Sequence, residues 1–185
     1  MKKVFLLLAV MTLSMSAMAQ TQFGVKVGFD MTNFWGSDTK HGMAPNYQIG
    51  ALLEHKFSDK FAIAPEAVFA AQGAKFDNVT YNVNYINVPV MLKYYVSPVF
   101  SLDFGPQLGI NVYSKATSEV GNVKVTNDIK DVTKSIDFGV GIGGTYSLTE
   151  NAFVQARYTL GVTDVFDGGG NCKNGNIQVA FGWKF

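Results

Sequence analysis

The sequence predicts an all-β fold, a closed eight-stranded antiparallel up-and-down transmembrane β-barrel, which follows a cleaved signal peptide. Three observations lead to this prediction. Apolar and polar residues alternate with period two in eight segments, and period two is the repeat of a β-strand. The connections between these segments are alternately short and long. The 185-residue chain contains 19 glycines and 15 phenylalanines but only 16% charged residues, a composition that favours strands and turns.

The first residues, 1–19, have the features of a secretory signal peptide. Lys2 and Lys3 form a short basic start, and an apolar run follows at 4–13. The triplet Ala-Met-Ala that ends at residue 19 is a pattern that signal peptidase accepts. An N-terminal membrane anchor is the alternative, but a spanning helix needs roughly 20 apolar residues. We therefore expect export and a single outer-membrane β-barrel domain at 20–185.

Each of the eight segments has the length and the pattern of a membrane-spanning strand. A tilted strand of about ten residues crosses the apolar band of an outer membrane. The predicted strands are 21–31, 47–57, 61–71, 85–95, 100–113, 135–146, 152–161 and 176–185.

One face of every predicted strand is apolar, and the other carries polar residues or glycine. A helix would instead repeat its apolar residues about every 3.6 positions. In chain order, the apolar faces are led by Phe23 and Val25, Ile49 and Leu53, Phe61 and Ile63, Ile86 and Val88, Leu102 and Phe104, Ile136 and Phe138, Val154 and Tyr158, and Ile177 and Val179.

The lengths of the connections predict which end of the barrel faces the periplasm. The short connections are 58–60, 96–99 and 147–151, and the long ones are 32–46, 72–84, 114–134 and 162–175. Outer-membrane barrels have short periplasmic turns and longer external loops. Both termini are therefore expected at the periplasmic end.

Aromatic residues near the strand ends favour the membrane over the alternative of a soluble β-sandwich. Alternation by itself fits both architectures, but two aromatic girdles are typical of a membrane barrel. The residues expected at the short-turn rim are Phe57, Phe61, Tyr94, Phe100, Tyr146 and Phe185, and those near the other rim are Tyr47, Phe69 and Tyr158.

Three prolines fall inside the predicted strands. Pro65, Pro89 and Pro106 have no N–H to donate to a ladder, and a closed barrel has no edge strand to accommodate them. We expect each proline to mark a bulge or a lost ladder hydrogen bond.

The inward faces carry five basic and five acidic residues. Eight strands leave an interior that side chains just fill, and an unpaired buried charge is strongly destabilising. We therefore predict a salt-bridged polar plug with small water pockets, and we favour this structural network over an ion path or a binding site. The predicted network consists of Lys26, Asp30, Glu54, Lys56, Glu66, Lys93, Asp103, Asp137, Arg157 and Lys184.

The sequence predicts no catalytic site, cofactor or metal. The G-x-G-x-x-G match at 139–144 lies in a strand pattern, whereas a dinucleotide site requires a helix after it. His41, with Asp38 or Ser37, is the external candidate for a lipid-modifying enzyme, since His55 is expected at the periplasmic end. Asp164 and Asp167 could form a calcium loop, although a flexible turn is the favoured interpretation.

Three aromatic residues are candidates for contacts with other molecules. Phe34 and Trp35, in the first long loop, suit either a partner contact or the membrane interface. Phe185 ends an alternating strand, and such an aromatic terminus is what the barrel assembly machinery recognises. We therefore predict that Phe185 is the assembly signal.

Several segments resemble the PorT-type outer-membrane β-barrel family of Bacteroidetes bacteria. The segments are Tyr-Ile-Asn-Val-Pro-Val-Met-Leu-Lys-Tyr at 85–94, Phe-Gly-Pro-Gln-Leu-Gly at 104–109, Asp-Phe-Gly at 137–139 and Ala-Arg-Tyr-Thr-Leu-Gly at 156–161. The resemblance implies an eight-stranded outer-membrane barrel in which Pro89 and Pro106 are ordinary family features. It also implies a link of some members to protein secretion.

The function expected from the sequence is that of an integral outer-membrane protein of a Gram-negative cell, with a structural or surface-interaction role through its long external loops. The alternatives are small-solute transport or an accessory role in secretion, and then a lipid-modifying enzyme. The expected partners are outer-membrane lipid, the assembly machinery and a surface or secretion partner. Because 15 basic residues nearly balance 14 acidic ones, nucleic acid is not expected.

Overall fold

The computed structural model describes residues 20–35, 44–76, 79–120, 123–165 and 172–185. The predicted signal peptide at 1–19 lies outside these ranges. Within them, no helix combines the length and the hydrophobicity that a membrane crossing would need.

Eight strands form a closed antiparallel barrel, as predicted. Each strand pairs with its neighbours in the chain, the last strand pairs with the first, and the fourth pairs with the fifth, which closes the ring. One further strand, outside the ring, pairs with the fifth alone among the described strands. The strands are β1 (Thr21–Trp35), β2 (Ala44–Lys56), β3 (Phe61–Phe76), β4 (Val79–Ser97), β5 (Phe100–Val120), β6 (Val123–Asp128), β7 (Ile136–Ser147), β8 (Ala152–Asp164) and β9 (Lys173–Lys184).

The barrel shows the predicted alternation of outward apolar and inward polar side chains. Apolar side chains on the outer face stay exposed, for example Phe29 at 78%, Ile142 at 62% and Val179 at 57%. Their neighbours on the inner face are buried, as Lys26 at 1% exposed illustrates. A surface this apolar is stable in lipid, where closure into a barrel also satisfies the backbone hydrogen bonds of every strand.

The aromatic residues gather at both rims. At the short-turn end, the rings of Phe57 and Phe61 are 6.2 Å apart, and the rings of Phe61 and Tyr94 are 5.2 Å apart. At the long-loop end, the rings of Tyr47 and Phe69 are 6.5 Å apart. The two ends of the barrel keep these names below.

The strands continue beyond the predicted boundaries at the long-loop end. The segment predicted as a loop at 114–134 contains the end of β5, the whole of β6 and a 3-10 turn at Lys130–Val132. This part of the chain lacks a continuous apolar face, so its strand character does not appear as membrane alternation. β3, β4, β5 and β6 therefore form a sheet that projects beyond the barrel wall.

The three prolines interrupt ladders without shifting the register. The β2–β3 pairs stop at Glu66 and resume at Ile63, which skips Pro65. The β3–β4 ladder skips Pro89 and the β4–β5 ladder skips Pro106 in the same way. Each proline therefore marks a gap in a ladder, as predicted, and the unchanged register shows that the gap is a loss of ladder pairing and not a bulge.

Candidate functional site

A central ion-pair triad crosses the barrel at mid-height. Glu66, on β3, accepts hydrogen bonds from Lys26 Nζ at 2.6 Å and from two nitrogens of Arg157 at 2.6 and 3.0 Å. All three side chains are at most 2% exposed. One carboxylate thus holds two cations, and the triad joins strands β1, β3 and β8 across the lumen.

A second group of charges fills the barrel toward the short-turn end. Lys93 Nζ lies 3.1 Å from Asp103 Oδ2 and 3.7 Å from Glu54 Oε2, and Lys184 Nζ lies 2.9 Å from Glu54 Oε1. Tyr95 also donates a hydrogen bond to Glu54. We call Glu54, Lys93, Asp103 and Lys184 the turn-end network.

Gln155 connects the triad with the turn-end network. Its Oε1 accepts a hydrogen bond from Lys26 Nζ at 2.9 Å, and its Nε2 donates to Asp103 Oδ2 at 3.3 Å. Thr145 donates to the same Asp103 oxygen at 2.5 Å and accepts from Lys93 at 2.9 Å. The polar side chains therefore form one continuous barrier across the lumen.

Two buried carboxylates toward the long-loop end have no ion-pair partner among the described residues. Asp137 is hydrogen bonded, because it accepts from Thr163 at 2.5 Å and from Asn174 at 2.8 Å. Asp30 is 0% exposed, and neither of its carboxylate oxygens meets a donor. The equal numbers of charges expected from the sequence do not translate into five pairs.

Three residues of the interior escaped the sequence reasoning. Tyr95 and Phe153 lie inside the short-turn end, and Tyr85 lies inside the long-loop end. Each occupies an inward position in its strand, so the period-two pattern could have placed it in the lumen. The prediction of the interior considered charged residues and not aromatic ones.

A small apolar cluster lies inside the long-loop end of the barrel. Val83, Tyr85 and Val165 are at most 1% exposed, and Tyr81 and Cys172 pack against them. The Val165 N–H donates to the Cys172 carbonyl at 2.8 Å, which ties the segment after β8 to the start of β9.

Burial in this cluster raises the pKa of the Cys172 thiol to about 11. Since only the thiolate reacts, we expect alkylation of Cys172 by iodoacetamide at pH 8 to be about 100-fold slower in the folded barrel than in urea. The folded rate should keep rising with pH toward 11, while the unfolded rate levels off near the ordinary value of 9.0. Mass spectrometry measures both rates, and equal rates would contradict the burial.

The remaining predicted residues lie at the barrel ends. Lys56 is half-buried, with its Nζ 4.4 Å from the centre of the Tyr95 ring. The sequence predicts Trp35 in the first long loop, but the structure places it in β1. Its indole N–H donates to the Asn174 carbonyl at 3.1 Å. Phe34 is part of the same strand, and Phe185 is 69% exposed.

The candidates for enzymatic and metal chemistry fall largely outside the described residues. Ser37, Asp38, His41 and Asp167 all lie in the ranges that the structure leaves out. His55 is near the short-turn end, where its Nδ1 lies 2.9 Å from Thr21 Oγ1. The expectation that the chain has no catalytic site stays a prediction.

Arg157→Met should weaken folding without opening a channel. The substitution removes one of the two cations from Glu66, and loss of one partner from a buried pair costs roughly 3–5 kcal/mol at most. The turn-end network still blocks the lumen in this variant. We expect a lower urea midpoint in detergent and unchanged conductance in planar bilayers, and a new conductance would show that the triad alone forms the barrier.

Comparison with known proteins gives a family and a set of structural neighbours. Residues 5–185 match the family described as outer membrane protein beta-barrel domain. Neisserial surface protein A has a TM-score of 0.59 at 16% identity, over 88% of this chain and 97% of that one. No curated protein matches the chain.

A second neighbour is Ail, the attachment invasion locus protein of Yersinia pestis. It has a TM-score of 0.58 at 12% identity, over 90% of this chain and 99% of that one. The same protein in complex with the heparin analogue sucrose octasulfate has a TM-score of 0.57 at 12% identity, over 90% of this chain and 99% of that one. At these identities the likeness extends to the fold.

Proposed function

Because this chain belongs to the outer membrane protein beta-barrel domain family, we propose that it is an outer-membrane anchor whose projecting sheet contacts other molecules at the cell surface. The short turns face the periplasm in this arrangement, and the sheet of β3 to β6 stands outside. The observation that carries the proposal is a lumen crossed by buried ion pairs, combined with a strand, β6, that pairs with β5 alone among the described strands.

The buried ion pairs and hydrogen bonds across the lumen argue against solute transport as the main role. Glu66, Asp103 and Gln155 link cations and amides on opposite walls of the barrel, and the apolar cluster around Tyr85 lies above them. A solute would have to break several buried charge-assisted hydrogen bonds to pass, and each is stronger than a neutral one.

The projecting sheet has one capped edge and one open edge. The β3 edge is capped at Gly73, because the hydroxyl of Thr32, on β1, donates to the Gly73 carbonyl at 2.6 Å and accepts from the Gly73 N–H at 3.2 Å. Asn46 in turn donates to Thr32 Oγ1 at 2.7 Å. β6 pairs with β5 alone among the described strands, and its residues 124–128 are exposed on both faces. An unpaired strand edge can add a strand from another molecule.

The surface proposal is tested by removing the open-edge strand β6 and the end of β5 while keeping the barrel. Lys115 and Asp128 are direct ladder partners, so the segment between them can be replaced by the two-residue turn Asn-Gly. The trimmed protein should show the same heat-modifiable migration on gels that we expect of the full chain. Cells that carry it should lose attachment to coated surfaces while their solute uptake stays unchanged.

Sucrose octasulfate and heparin-coated surfaces are suitable first probes. Ail, which forms the complex with sucrose octasulfate, has a barrel of the same fold as this chain. Three lysines of this chain lie at the long-loop end, namely Lys115, Lys124 and Lys173. Attachment that survives the trimming would contradict a role for the sheet. Swelling of liposomes that contain the intact protein would favour the alternative of small-solute transport.

A role in secretion, which the PorT-type resemblance suggests, is a second form of the same proposal. The partner would then be a secretion component at the surface or in the periplasm.

The position of Phe185 supports its proposed role as the assembly signal. Its ring is exposed and stacks on Phe23 at 5.9 Å, and its N–H donates to the Phe23 carbonyl at 2.8 Å. Export by the predicted signal peptide belongs to this proposal as well.

A further inference from the structure

Several buried polar atoms above the triad have no hydrogen-bond partner among the described residues. They are both carboxylate oxygens of Asp30, both amide atoms of Gln48 and Asn176, the Thr159 hydroxyl and the Arg157 Nε. The five residues are at most 5% exposed. Buried polar groups are nearly always hydrogen bonded, so atoms without a protein partner indicate a bound molecule.

The strand register brings these atoms to one place. β2, β1, β9 and β8 are consecutive in the barrel. Gln48 lies opposite Gly28, two residues from Asp30 on the same face, and Asn176 lies opposite both Thr32 and Thr159. The Asn176 and Gln48 amides interact with the Asp30 carboxylate but do not reach hydrogen-bond geometry, and the carboxylate also lies in the electrostatic field of Lys26 and Arg157.

The mixture of donors and acceptors selects the bound molecule. A metal cation would satisfy the oxygens of Asp30, Gln48 and Asn176, but it would leave the amide N–H groups and the Arg157 Nε–H without acceptors. It would also sit close to two positive side chains. An anion would be repelled by Asp30. Water both donates and accepts, and buried waters typically make about three hydrogen bonds to such groups.

The charges around the triad indicate which groups the bound water connects. Glu66 neutralises one of the two cations of the triad, so a single positive charge is left over there. Besides Glu66, the carboxylates of Asp103 and Asp30 act on Arg157, and Asp103 is already paired with Lys93. Asp30 has no ion-pair partner among the described residues, yet it makes no hydrogen bond to Arg157. We propose that a cluster of buried water molecules, held by Gln48, Thr159 and Asn176, joins Asp30 to the Arg157 Nε and makes these residues a water-mediated ion pair.

Side-chain amide NMR of the folded barrel in nanodiscs tests the water directly. The chain contains matched controls, because Asn174 and Gln155 are also buried inside the barrel but have protein partners. Exchange or Overhauser cross-peaks to water are expected for the Gln48 and Asn176 amides and not for Gln155 and Asn174. The same signals for all four amides, or for none, would overturn the proposal.

A double-mutant cycle tests the pairing of the charges. Asp30→Asn and Arg157→Met should each lower the urea midpoint, and together they should lower it by clearly less than the sum of the two shifts. Asp137→Asn combined with Arg157→Met serves as the control and should be additive, since Asp137 has its own donors. Additive shifts for the Asp30 pair would overturn the proposal.

A crystal structure of the wild-type barrel grown in rubidium chloride separates water from a monovalent cation, and it applies even if the variants fail to fold. Ordered waters between Asp30 and Arg157 without anomalous signal are expected. An anomalous peak beside Asp30, or a direct Asp30–Arg157 contact, would overturn the proposal.

Discussion

Replacing Glu66 with glutamine is expected to destabilise the barrel more than any other single substitution of a charged interior residue. Glu66 is the shared anion of Lys26 and Arg157, and its removal leaves two buried cations without their direct counter-ion. Breaking one buried pair costs roughly 3–5 kcal/mol. A small barrel with a free energy of unfolding of about 5–15 kcal/mol would lose a large share of its stability.

The measurement is urea unfolding of the refolded protein in detergent, followed by the heat-modifiable gel shift. Glu150→Gln is the matched control, because Glu150 is exposed in the short turn between β7 and β8. The expected order of urea midpoints is Glu150→Gln, then Arg157→Met, then Glu66→Gln at the lowest concentration. If Glu66→Gln unfolded at the same urea concentration as Glu150→Gln, the triad would not be a stabilising element.

Gly105→Ala is expected to have the next largest effect. A Cβ at Gly105 would overlap the carbonyl oxygen of Val90 and would lie 2.9 Å from its carbonyl carbon and 3.0 Å from the Met91 Cα. These are backbone atoms, so relief requires β4 and β5 to separate at the point where Pro106 already interrupts their ladder. Overpacking of this kind costs about 1–3 kcal/mol.

The glycine directly across the sheet provides the control. Gly105 and Gly141 are ladder partners, but a Cβ at Gly141 would meet the Arg157 Cδ at 3.3 Å and the Met91 Cε at 3.4 Å, which are side-chain and not backbone atoms and need to shift by only a few tenths of an ångström. Gly141→Ala should therefore change the urea midpoint little, while Gly105→Ala lowers it. Equal shifts for the two variants would mean that the close approach of β4 and β5 relaxes easily.

Much of the barrel was predictable because the membrane imposes a local pattern. A residue that faces lipid must be apolar and its neighbours in the strand must face inward, so alternation reports the strand and the face together. The same reasoning selected Lys26, Glu66 and Arg157 as interior residues. It did not extend to β6, because a strand outside the membrane need not present an apolar face.

The sequence by itself determined the number of barrel strands, the residues of each face and the set of charges that the lumen contains. The partners of those charges were decided by tertiary structure. Period two defines a face but not a height, and the height of a side chain depends on the register between strands and on where the ring closes. That register brings Glu66 to Lys26, 40 positions away, and to Arg157, 91 positions away, while it leaves Asp30 without a direct partner.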